Sequence, residues 1–87
     1  MKPGQEIIDK GLADLAEERE TVESLLVSIG APRLRAGGVS VPESPFTSPE
    51  HRLYRLLAAE NPDAAHSRYN ALVRRLVSYE RALECGI

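Results

Sequence analysis

The side chains of this 87-residue chain that could do chemistry are two histidines, one cysteine, three tyrosines and a set of arginines. His51 stands among Glu50, Arg52 and Arg55, and His66 lies one helical turn from Asp63, which could orient its imidazole. Catalysis or metal binding needs convergent donors, and the sequence has no HxxxH or HExxH spacing and no cysteine pair. Both histidines therefore read as surface or capping residues. Cys85 falls near the negative end of a terminal helix, where the dipole does not favour a thiolate, and reads as incidental. Gly37-Gly38 follows no strand and opens no helix, so it is not a phosphate loop. These residues give an expectation of no enzyme activity, no metal and no cofactor.

The arginines carry more. Every cation after Lys10 is an arginine, a residue suited to planar, two-pronged contacts with carboxylate or phosphate. Residues 1–29 hold the acids Glu6, Asp9, Asp14, Glu17, Glu18, Glu20 and Glu23 against Lys2, Lys10 and Arg19. Residues 30–56 reverse the balance, with Arg33, Arg35, Arg52 and Arg55 against Glu43 and Glu50. The last third pairs Arg68, Arg74, Arg75 and Arg81 with Glu60, Asp63, Glu80 and Glu84 and reads as balanced. With a net charge of −2, nucleic acid could be held only by a local patch. Tyr54 falls off the Leu53/Leu57 face and is a candidate contact residue, whereas Tyr69 and Tyr79 lie on an apolar stripe.

The elements that must position these groups follow from hydrophobic spacing. Ile8, Leu12, Leu15, Val22, Leu26 and Ile29 recur in steps of four and three, broken by Arg19, and predict one long helix over residues 4–29. Gly30 and Pro32 read as its stop. Residues 30–47 carry Pro32, Pro42 and Pro45 with Gly30, Gly37 and Gly38, a composition that predicts a long loop. Ser48-Pro49-Glu50 opens a short helix over 49–60, and Asn61-Pro62-Asp63 opens a second long helix over 62–85 with Ala65, Tyr69, Leu72, Leu76, Tyr79 and Leu83 inward.

The expected fold is all-α: one domain over residues 1–87, a long–short–long three-helix bundle with a Gly/Pro-rich loop, completed by dimerisation. The expected homodimer interface is Leu12, Leu15, Arg19, Val22 and Leu26. No stretch approaches the roughly 18 apolar residues of a membrane span, and no apolar leader block follows Met1, so cytoplasmic residence is the default. The functional expectation is a non-enzymatic protein–protein interaction module, a dimeric adaptor, assembly factor or inhibitor. It would hold an unidentified protein partner through loop 30–47 and the second helix, with Arg33, Arg35, Arg52, Tyr54 and Arg55 in contact. The alternative is a dimeric nucleic-acid-binding regulator built on the same arginines. The helix–corner–helix of residues 49–85 is weak support for that, because the first turns of the last helix offer only Ser67, Arg68 and Asn70 as base readers.

Overall fold

A computed structural model describes residues 2–86, which form α1 (Gln5–Ala16), α2 (Val22–Ala36), α3 (Pro49–Glu60) and α4 (Ala65–Glu84), with no strand among the described residues. The all-helical expectation holds, but the helices number four rather than three. The single helix expected over residues 4–29 is an antiparallel pair, α1 and α2.

The break is written in the residues that interrupt the heptad. Glu17, Glu18 and Glu20 crowd the C-terminal end of α1, where the helix dipole is unfavourable to carboxylates. Glu18 turns the chain with a left-handed backbone, φ 58°. Its amide bonds to the Leu15 carbonyl at 3.0 Å and the Arg19 amide to that of Asp14 at 2.8 Å, the two bonds of a Schellman stop. Thr21 then caps α2: its side chain accepts the Ser24 amide, and the Ser24 hydroxyl accepts the Thr21 amide. Thr21 Oγ1 also donates to the buried Asp14 carboxylate at 2.8 Å, and Lys10 donates to the same group at 2.7 Å, fastening the end of α1 to the start of α2. Arg19, expected at a core position, is in this turn and pairs with Glu17 in solvent at 2.9 Å.

The second correction concerns the loop. α2 does not stop at Gly30 but runs through Pro32 to Ala36, so the connection is residues 37–48 rather than 30–47. Gly30 is a packing residue: a Cβ there would lie 2.7 Å from Leu76 Cδ1 and 2.9 Å from Glu80 Oε2, so its absence lets α4 approach. Burial of Ala31 and Leu34 on either side of Pro32 offsets the amide that proline lacks. The stop lies at Gly37-Gly38, with Gly38 at φ 96° and the Val39 amide bonded to the Leu34 carbonyl at 2.9 Å. The third helix of the expected bundle begins at Ala65 rather than at residue 62, because Asn61 Oδ1 accepts the amides of Asp63 and Ala64 and stabilises a turn ahead of it.

One core joins all four helices: Ile8 and Leu15 from α1, Leu25, Leu26, Val27 and Leu34 from α2, Leu53 and Leu57 from α3, Leu76 and Tyr79 from α4. α2 is the central element and packs on each of the other three. The connection is drawn onto it. Arg35 donates to the Val41 and Pro42 carbonyls, Ser28 meets Ser44 at 3.0 Å, and Val39, Val41 and Phe46 pack on the core.

Candidate functional site

The five arginine and tyrosine residues assigned to partner binding do not form one patch. Arg33 projects from the last turn of α2 onto α4, where it donates to both Glu84 oxygens at 2.9 Å and lies 3.1 Å from Glu80. Arg35 is occupied by the carbonyls of the connection. Arg52 donates to the Thr47 carbonyl at 2.8 Å, reaches Glu20 at 3.1 Å and lies over the Phe46 ring, so it joins α3, the connection and the α1–α2 turn. These three arginines hold the molecule together. Arg55 alone of the four has neither an acidic nor a carbonyl partner among the described residues, and it lies exposed on α3. Tyr54 is 39% exposed, with its ring 6.5 Å from His66 and 5.9 Å from Tyr69. Burial, and then the charge of Glu50, raise the Tyr69 phenol above its ordinary value.

The residues assigned to a dimer interface are likewise redistributed. Leu15 and Leu26 are buried against the chain's own helices, Arg19 is in solvent, and Leu12 and Val22 are half-buried. The stripe that argued for a second copy is largely covered by the α1–α2 hairpin itself.

The structure does create a surface at α3. Two adjoining hollows share Glu20 and Leu56: one of about 350 Å³ bordered by Arg52 and Arg55, the other of about 460 Å³ continuing past Val22 to Leu72. Together they make a groove between the α1–α2 turn and the α3–α4 pair. Half-buried Val22, Leu56 and Leu72 line it, and Glu20, Glu23, Glu60, Arg52, Arg55 and Arg68 border it. The sequence reading missed the groove because its α1–α2 wall exists only once the first helix breaks. The Thr21–Ser24 cap was the available signal.

His51 and His66 are exposed and separate from Cys85, and no cluster of three metal-ligating side chains occurs among the described residues. His66 meets Asn70 at 3.3 Å. The perturbed acids are at helix contacts. Hydrogen bonds from Lys10 and then Thr21 hold Asp14 below the ordinary carboxylate value. Glu80 is 3% exposed between α2 and α4, and burial raises its carboxyl above the ordinary value, opposed by Arg33 and reinforced by Glu84.

The signs of these two shifts are opposite. Asp14 contributes stability that is present above the ordinary aspartate value of 3.8 and is lost as pH falls through its lower folded-state value. Glu80 binds its proton more tightly when folded, so its contribution improves as pH falls toward the ordinary glutamate value of 4.5. Glu80→Gln is therefore expected to melt above the parent at pH 7, with the difference narrowing toward pH 4.5. Thermal melts across that range check it, and a variant that melts lower at neutral pH would show the Arg33 pair to outweigh burial.

The chain matches no protein-family model, no curated protein and no solved structure.

Proposed function

We propose that the protein is a non-enzymatic interaction module, an adaptor, assembly factor or inhibitor, that holds a helical segment of a partner protein in the groove between the α1–α2 turn and α3. The observation that carries this reading is the unpaired Arg55 beside Leu56, at the mouth of a groove floored by Val22, Leu56 and Leu72. An apolar centre with a charged border is the usual anatomy of a protein interface. The complementary segment presents apolar side chains at helical spacing and a carboxylate for Arg55. Tyr54 is exposed on the same helix but packs toward His66 and Tyr69 rather than lining the groove. Arg52 borders this groove beside Arg55, whereas Arg33 and Arg35 are engaged by α4 and by the connection. Cytoplasmic residence remains part of the reading. A homodimer compatible with the packed core would use Leu12 and Val22, not Leu15 or Leu26.

Arg55→Glu combined with Leu56→Glu is expected to lose a partner that the parent retains in chemical cross-linking, with helical circular dichroism unchanged. Hydrogen-exchange protection by that partner is expected over residues 20–23 and 52–60. Retention of the same partner by the double variant, or protection elsewhere, would reject the groove.

A further inference from the structure

The exposed face of α4 differs from what its composition implies. Its four arginines were balanced in the sequence by Glu60, Asp63, Glu80 and Glu84, but Glu80 is buried and faces Arg33 across the α2–α4 contact. From His66 to Arg81 the exposed residues of α4 are His66, Ser67, Arg68, Asn70, Ala71, Arg74, Arg75, Ser78 and Arg81, with no acid among them. At 3.6 residues per turn, Ser67, Ala71, Arg74, Ser78 and Arg81 fall within an arc of about 80° on the outward side of the helix. Arg74 lies near the centre of that arc and Arg81 at one edge; neither has an acidic partner among the described residues, and they stand about 10 Å apart along the axis. Arg68 and Arg75 lie beyond its opposite edge. Each makes a single 2.7 Å contact in solvent, to Glu60 and Glu6, of the kind that exchanges readily for a stronger anion.

We infer that this face of α4 binds the phosphate backbone of duplex nucleic acid, with Arg74 and Arg81 as the primary contacts and Ser67, Asn70 and Ser78 as neutral donors. Duplex nucleic acid is the occupant that best fits the chemistry of the face. Arginine favours two-pronged phosphate contacts, and hydroxyl and amide side chains commonly complete them. The small residues Ser67, Ala71 and Ser78 let a backbone approach the helix closely. Membrane insertion needs exposed Trp, Phe or Leu on the same face, and a protein hot spot needs a buried aromatic or apolar anchor; the arc carries neither. Single strands are held by base stacking on aromatic rings, and Tyr54 and Tyr69 pack against each other beside His66 rather than standing on the arc. The contact reads phosphate rather than sequence. Its primary contacts, Arg74 and Arg81, are not among the residues of the groove at α3, so either reading can fail without the other.

The test is fluorescence anisotropy with a labelled random DNA duplex of about 25 base pairs at low salt, long enough to present many phosphates to one helix. Binding is expected to weaken roughly 10- to 150-fold between about 50 and about 200 mM salt, the dependence produced by two to four phosphate contacts. Arg74→Glu with Arg81→Glu is expected to weaken it at least about tenfold at low salt, since two phosphate contacts become repulsions. Both residues are exposed and unpaired, so the double variant keeps its helical circular dichroism. Arg55→Glu, on α3, is expected to leave duplex binding in place. The inference is overturned by no binding at low salt, by binding that the double reversal leaves intact, or by poly-glutamate competing as well as unlabelled duplex. Tighter binding to a single strand of the same sequence also overturns the duplex assignment.

Discussion

Leu26→Asp is expected to leave the chain unfolded at 25 °C. Leu26 has no exposed surface and lies in the second turn of α2, the helix that packs on all three others. Removing a buried leucine side chain alone costs about 2–5 kcal/mol. Burying a carboxylate with no partner adds several kcal/mol more, and the total reaches the roughly 5–15 kcal/mol by which a domain of ordinary stability folds. Circular dichroism and light scattering check the result. A folded monomer derived from a parent dimer would instead show that Leu26 faces a second copy. Leu26→Ala, which adds no charge, is expected to fold and to melt well below the parent.

Gly11→Ala is expected to destabilise the protein although alanine is the better helix former. Propensity favours the substitution by about 1 kcal/mol. Packing opposes it, because α1 and α2 approach closely at Gly11. A Cβ there would fall 2.5 Å from the Glu23 carbonyl oxygen and would also press on Val27 Cγ2. Backbone cannot move aside by changing rotamer, so α1 must lift away from α2 and loosen Ile8 and Leu15. Overpacking of this kind costs about 1–3 kcal/mol, and a clash with backbone belongs at the upper end. Gly30→Ala is the comparison, since its Cβ meets the ends of the Leu76 and Glu80 side chains, which can rotate. Chemical denaturation of the two variants is expected to rank Gly11→Ala as the more damaging. A Gly11→Ala protein as stable as the parent would mean the helices are not in contact there.

The contrast between those glycines shows how much was legible in the sequence. Periodicity identified which residues are apolar and inward, and Leu15, Leu26, Leu53, Leu57, Leu76 and Tyr79 are all in the core. Ser48-Pro49 correctly opened α3. The heptad did not reveal that its two halves face each other across a turn, because an antiparallel hairpin and a continuous helix give the same pattern of fours and threes. Arg19 at an inward position was the sign of the interruption, and the Thr21 cap was the confirmation. Gly30 and Pro32 misled for a physical reason. Both are local stop signals, and here the tertiary burial of Ala31 and Leu34 prevails over them. At the surface, the exposed α3 residues Tyr54 and Arg55 were identifiable, but the fate of the other arginines was not. Whether Arg33 greets a partner or clamps Glu80 depends on which helix lies opposite, and charge counting is blind to that. The acid-free face of α4 was hidden by the same blindness, since Glu80 counts as surface until it is buried.

The centrality of α2 has a kinetic consequence. Three of the principal helix pairings, α1 with α2, α2 with α3 and α3 with α4, join neighbours along the chain, and α2 with α4 is the one that skips an element. A chain whose contacts are mostly between successive helices closes short loops on its way to the native state and encounters few long-range searches. Such topologies fold in microseconds to milliseconds. Of these principal pairings the non-neighbour one, locked by Arg33, Glu80 and Glu84 at the far end of α4, has the longest loop to close, so the clamp at the C-terminus belongs late in assembly, while the Glu6–Arg75 contact of α1 with α4 spans still more of the chain.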